Sequence, residues 1–197
     1  MKKLFLLPAL VFCTLMFITE TVDAQAYLPT RLFRHGQADA WFGIGILPTY
    51  LKDQTQMGFL PVSAGIDWMA SDLWSLGFSL GYSNYQMNKP PLPNENSRRY
   101  RNTSILGMAR VAAHFTKTDN VDFYGGFQLG AQATIIHSLS GEFGTYEDQH
   151  GIRPGKVRLQ YGAFLGFKFA VSHKTSVFGE LGTGISLAQV GAAIRIK

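Results

Sequence analysis

The sequence predicts an all-β chain, an eight-stranded antiparallel up-and-down transmembrane β-barrel, on three observations. The first is residues 73–83, where Trp74, Leu76, Phe78, Leu80 and Tyr82 alternate with Ser75, Gly77, Ser79, Gly81 and Ser83. Successive side chains of a strand point to opposite faces, so this segment has one wholly apolar face and one of tiny or polar groups. A soluble sheet would carry long charged side chains on its polar face; Ser and Gly suit the inside of a narrow barrel whose outside meets lipid. The second is composition: mean hydropathy is +0.04 with 16% charged residues, yet nothing beyond the N-terminal apolar run is long enough to span a bilayer as a helix. Besides the helix, only a closed barrel satisfies every backbone group in lipid. The third is that tight turns and longer polar loops alternate along the chain, as they do in outer-membrane barrels.

The N-terminus reads as an export signal. Lys2 and Lys3 precede an apolar run over residues 4–18, and Val22-Asp23-Ala24 and Ala24-Gln25-Ala26 both offer small-x-small cleavage motifs. The run is short for a transmembrane helix, so residues 1–26 are expected to be a cleaved signal peptide. Phe12 before Cys13 is too bulky for a lipoprotein motif, and the mature chain then has no cysteine, which excludes disulfides and thiolate metal sites. Lys2 and Lys3 leave with Glu20 and Asp23, so the net charge of +5 is kept. A basic exported barrel suits an anionic membrane surface, and no nucleic-acid motif is present.

Taken in order, residues 27–38 are a polar periplasmic lead-in with Arg31, Arg34 and His35, and residues 39–197 form the barrel. Residues 39–50 set Phe42, Ile44 and Ile46 against Gly43 and Gly45. Residues 57–69 set Leu60, Val62, Ala64, Ile66 and Trp68 against Ser63, Gly65 and Asp67. A tight turn at residues 70–72 leads into the strand described first. Residues 88–101, with three prolines and three arginines, read as a loop. Strands follow at 103–115, with Ile105, Val111 and Phe115 opposite Ser104, Arg110 and His114, and at 121–137, with Phe123, Phe127 and Leu129 opposite Asp122, Gln128 and Gln132. After a polar loop at 138–156, residues 157–171 alternate Leu159, Tyr161, Leu165, Phe167 and Phe169 with Arg158, Gln160, Gly162, Gly166 and Lys168. A turn at 172–175 opens a seventh strand carrying Val177 and Leu181 against Glu180 and Gly182. A connection within 183–188 leads to a last strand with Val190, Ala192, Ile194 and Ile196 opposite Arg195 and Lys197.

This order places both termini in the periplasm. Trp68, Trp74, Phe115, Phe123 and Phe169 fall outward beside the turns, and Tyr82, Tyr100 and Tyr161 fall toward the loops, as a pair of aromatic girdles requires. The strand from Trp74 to Tyr82, the repeats Tyr161-Gly162-Ala163-Phe164-Leu165-Gly166-Phe167 and Phe178-Gly179-Glu180-Leu181-Gly182, the Ala24-Gln25-Ala26 signal end and the alternating last strand together resemble the small outer-membrane barrels of the OmpA and OmpX type, as found in Bacteroidota-like bacteria. The resemblance covers essentially all of the mature chain. It implies a Gram-negative outer-membrane location and an architecture shared by proteins of different function. The fold-level rival, a soluble lipocalin-like barrel, would expose the Ser and Gly faces to water.

The inward set holds Asp67, Arg110, Asp122, Arg158, Lys168, Glu180 and Arg195, and a barrel of eight strands is only wide enough for side chains to fill. A lumen charge network that blocks flow is expected, with Glu180 paired to Arg110 or Arg195; a narrow gated channel is the alternative. Arg98, Arg99 and Arg101 form the sharpest cationic cluster, suited to lipopolysaccharide phosphates because guanidinium binds phosphate bidentately. Some small barrels are lipid A modifying enzymes, and His137-Ser138 with Ser140 and Glu142 supplies the residue types. Their spacing does not match, so no catalytic residue and no enzyme activity is assigned. The five histidines are scattered, so no metal and no cofactor is expected. The expected role is non-enzymatic: envelope structure, surface interaction, or a subunit docked on another outer-membrane protein, with membrane lipid and lipopolysaccharide as partners.

Overall fold

The structure, a computed structural model, describes residues 34–48, 56–89, 98–116, 118, 120–139 and 154–197. The expected signal peptide, the lead-in up to residue 33 and the centres of three loops lie outside these residues. The chain forms a closed barrel in sequence order: β1 (Ala38–Pro48), β2 (Gln56–Met69), β3 (Trp74–Lys89), β4 (Arg98–His114), β5 (Val121–Ser138), β6 (Gly155–Ala170), β7 (Thr175–Gly182) and β8 (Ser186–Arg195). Every pairing is antiparallel, and β1 closes on β8.

The register sets the barrel's geometry. Following ladder partners from Phe167 on β6 passes through Gly179, Val190, Ile44, Val62, Tyr82, Ile105 and Ala133 and returns to β6 at Val157, a shear of ten residues (167 − 157). With eight strands such a shear goes with a tilt of about 40°. Along the wall, alternation sends Phe42, Ile66, Trp74, Phe78, Phe127, Leu165 and Leu181 outward and exposed, while Ser63, Ser75, Ser79 and Ser104 are buried inside. The expected girdle residues Trp68, Trp74, Phe115, Phe123, Phe169, Tyr82 and Tyr161 all stand on the exposed outer face. Tyr100 does not: it is buried, because its register position faces the interior.

Two of the tight turns share one chemistry. The Ser71 hydroxyl accepts from the Trp74 amide (2.9 Å) and the Ser172 hydroxyl from the Thr175 amide (3.1 Å), so a serine just after each descending strand closes the next hairpin. Gly36, at φ 82°, folds residues 34–37 back so that its amide reaches the Met69 carbonyl (2.9 Å).

Three segment boundaries differ from expectation. The residues read as a loop over 88–101 lie partly in the sheet, because the β3–β4 ladder continues to Lys89↔Arg98; Arg98, Arg99 and Arg101 are therefore strand residues. Likewise β6 begins at Gly155, whereas the last connection, residues 183–185, falls within the expected 183–188. Ladder hydrogen bonds hold a polar strand as well as an apolar one once its neighbour is in place, so composition places these ends too close to the membrane.

Candidate functional site

Among the described residues, the lumen is where this fold brings chemistry-bearing side chains together, and the small residues of the inner face make room for them. A Cβ at Gly65 would stand 2.5 Å from the Trp41 ring, and one at Gly191 2.7 Å from Phe178. Glycine opposite an aromatic is thus how the narrow interior accommodates Trp41, Tyr124, Phe164 and Phe178, all of them buried.

Arg110, from β4, occupies the middle of the lumen. Its Nη2 donates to Glu180 Oε2 on β7 at 2.6 Å, and its Nε lies 3.9 Å from Asp67 Oδ1 on β2. The guanidinium is flanked by rings, 4.2 Å from the centroid of Phe164 and 4.9 Å from that of Trp41. Glu180 is fully engaged: the Tyr124 hydroxyl donates to Oε2 at 3.3 Å and the Gln189 amide to Oε1 at 2.9 Å. One layer toward the tight turns, Lys168 Nζ donates to Asp39 Oδ2 at 2.9 Å, and Arg195 Nε stands 3.9 Å from Asp39 Oδ1. Beside this layer, His114 Nδ1 is 2.6 Å from Asp122 Oδ2 and its Nε2 is 2.9 Å from Ser75 Oγ. Among the described residues, cavities of about 30 Å³ above Arg110 and about 20 Å³ below it flank the guanidinium. Each has room for about one water.

Six of the seven expected lumen residues, Asp67, Arg110, Asp122, Lys168, Glu180 and Arg195, therefore stand within 4 Å of a charged or ionisable partner inside the barrel. Arg158 does not join them. It is exposed, because β7 ends at Gly182 and the β6–β7 ladder stops at Phe164, leaving the upper part of β6 with no ladder partner on that side among the described residues. Sequence reasoning missed Asp39, Trp41, Tyr124 and Gln189, although Asp39 and Trp41 share the inward parity of Gly43.

The rim residues separate differently. Arg99 and Arg101 are exposed, and Arg101 pairs with His137 on β5 and Gln86 on β3. Arg98 pairs with Lys89 at the ladder's end. His137 and Ser138, the nearest approach to a lipid A hydrolase site, are consecutive in β5 and so point to opposite faces of the wall. They cannot act on each other, and Ser140 and Glu142 lie outside the described residues.

No protein-family model matches the chain, and no curated protein matches it in sequence. Solved structures do. The outer membrane protein OprG of Pseudomonas aeruginosa aligns at 11% identity with a TM-score of 0.50, covering 86% of this chain and 99% of that one. A de novo designed transmembrane β-barrel aligns at 15% identity and a TM-score of 0.47, covering 83% and 98%. Ail, the attachment invasion locus protein of Yersinia pestis, solved with the heparin analogue sucrose octasulfate, aligns at 10% identity and a TM-score of 0.46, covering 82% and 95%. Shared architecture at such identity speaks to fold and not to activity. The closed antiparallel register, the apolar exterior and the OprG alignment together give this chain the fold of the small eight-stranded outer-membrane barrels.

Proposed function

We propose that this protein is an integral protein of a Gram-negative outer membrane, exported by a cleaved signal peptide, whose principal role is interfacial and non-enzymatic. It holds outer-leaflet lipopolysaccharide at its rim and presents its long loops at the cell surface. The observation that carries this reading is the division of labour between the two faces of the wall. The outside is a continuous apolar surface suited to lipid, and the inside is filled at mid-height by Arg110, Glu180, Trp41 and Phe164, with the cavities that flank Arg110 no larger than about one water. A lumen packed in this way favours a non-conducting barrel over a pore.

The outward row of β4 supports the lipid contact. Ile105 lies on the exposed apolar surface, and Arg101 stands four residues further toward the loops, roughly 10 Å higher on a tilted strand. That separation carries the guanidinium from the hydrocarbon edge to the level of phosphates, where it binds them bidentately. The test compares the wild-type barrel with a variant in which Arg98, Arg99 and Arg101 are all Gln, both folded in detergent, for binding to purified lipopolysaccharide. Binding at least fivefold weaker in the variant is the expected result, and unchanged binding removes the rim arginines from the proposal.

A further inference from the structure

The periplasmic end of the lumen holds a group of side chains that a lipid-anchoring barrel does not need. Ser75 on β3, His114 at the end of β4 and Asp122 at the start of β5 come from three neighbouring strands, and all three side chains face inward and are buried. Their order is Ser75 Oγ to His114 Nε2 at 2.9 Å, then His114 Nδ1 to Asp122 Oδ2 at 2.6 Å. With neutral imidazole, Nδ1–H donates to the carboxylate and Nε2 accepts the hydroxyl proton. This is the arrangement in which a carboxylate fixes the histidine tautomer and the histidine activates a serine, and it is recognised by geometry, whatever the fold or chain order.

Two further observations distinguish the group from an ordinary satisfied network. Glu180 nearby has hydrogen-bond donors on both carboxylate oxygens. Asp122 is 1% exposed, and its Oδ1 has no hydrogen-bond partner among the described residues. Its one side-chain hydrogen bond among the described residues is therefore the one to the imidazole. Second, Ser75 lines the lower cavity together with Arg110, Lys168 and Met69. The same lining holds Asp39 and Asp67, which with Glu180 already pair the two cations. Met69, the direct ladder partner of Ser75 and the last residue of β2, covers the cavity at the periplasmic mouth with a side chain of three rotatable bonds.

We propose that Ser75 is an activated nucleophile that accepts an acyl group from a small carboxylic ester entering by the periplasmic mouth once the Met69 side chain swings clear, since the cavity as it stands has room for about one water. Ser75 Oγ forms the new bond to the carbonyl carbon, and its proton passes to His114 Nε2. The bond from that carbon to the alkoxy oxygen breaks, and the alcohol leaves with the proton from His114. The products are an acyl-serine and an alcohol, with no other reactant. The site stands apart from the rim arginines, so failure of either proposal leaves the other intact.

The test treats the folded barrel in detergent, and the same protein in outer-membrane vesicles, with p-nitrophenyl acetate and with a fluorophosphonate probe, and maps adducts by mass spectrometry. Heat-modifiable gel mobility verifies folding of every variant. The expected result is an adduct on Ser75, absent in Ser75→Ala, formed at least tenfold more slowly in Asp122→Asn and in His114→Gln, and formed several-fold faster in Met69→Ala. Should His114→Gln fail to fold, Asp122→Asn carries the comparison, since it changes the tautomer and preserves the shape. Two results overturn the proposal: no adduct on Ser75 even in folded Met69→Ala, or an adduct formed at the wild-type rate in folded Asp122→Asn. Either would leave the three residues as a hydrogen-bonded lining of the lumen.

Discussion

Replacing Arg110 by Met is the most demanding test of how the lumen is held. The substitution keeps a long, flexible side chain between Trp41 and Phe164 but removes the donor 2.6 Å from Glu180 and the cation 3.9 Å from Asp67. Glu180 is 7% exposed, so its carboxylate would be left in a nearly dry interior with only Tyr124 and Gln189 donating to it. Breaking one side of a buried ion pair costs about 3 to 5 kcal/mol, roughly 200- to 5000-fold in the folding equilibrium at about 1.36 kcal/mol per decade. The lost ring contacts add to this, while the two remaining hydrogen bonds place the total near the middle of the range. Reversible folding into lipid vesicles, titrated with urea and followed by gel mobility, measures the difference. The double variant Arg110→Met with Glu180→Gln removes both charges and should recover most of the loss, because exchanging a whole buried pair for neutral groups is often close to neutral. A cost below about 1 kcal/mol for Arg110→Met, or a double variant as unstable as the sum of the two singles, would refute the claim that desolvated pairing organises the lumen.

Depth in the membrane and space in the lumen give two more outcomes, read by the same titration. Phe78→Arg, at mid-wall on β3, should cost about 2 to 4 kcal/mol, whereas Phe115→Arg, exposed beside the β4–β5 turn, should cost about 0 to 1. Equal costs at the two positions would mean that the apolar band is misplaced. Gly166→Leu should destabilise by about 1 to 3 kcal/mol or prevent folding, since a Cβ there would lie 2.4 Å from the buried Tyr124 ring. Gly155→Leu, where the nearest atom is 3.8 Å away, should fold as the wild type does.

Strand parity explains why the wall was legible and the lumen only half so. A period of two assigns each residue to a face without reference to any other strand, so Phe78 and Ser79 separate correctly from local sequence alone. Which inward residues meet depends instead on the ten-residue shear, which no single strand encodes. Lys168 reaches Asp39 across 129 positions of sequence, and Arg110 reaches Glu180 across 70. Parity therefore narrows the partner of Glu180 to Arg110 or Arg195 and carries no signal for the pairing of Asp39. Parity puts His114 on the inward face, but its hydrogen bonds to Ser75 and Asp122 follow from the β3–β4–β5 register and not from its surroundings in the chain. The arginine-rich end of β4 shows the opposite limit: its backbone ladder to β3 outlasts any apolar pattern that would announce it.

Arg158 shows why parity alone also fails at the level of the whole wall. Parity treats every strand as if it had a neighbour along its full length. At about 3.3 Å per residue and a tilt near 40°, the 18 residues of β5 rise roughly 45 Å, and the 8 residues of β7 only about 20 Å. The apolar band of an outer-membrane barrel is about 25 Å tall, so the wall at β7 is shorter than the band it must cross. The last bond between β6 and the β7 end is the Thr183 amide to the Ala163 carbonyl at 3.1 Å; above it, the upper edge of β6 has no ladder partner among the described residues. Val157, Leu159 and Tyr161 are accordingly 72%, 71% and 73% exposed, against 53% for Phe78, which has a strand on each side. An inward-facing charge becomes a lumen charge only where a facing wall exists. Arg158 has the right parity and lacks that wall, so it stands in the open upper part of the barrel while Lys168, ten residues further down the same strand, is locked to Asp39.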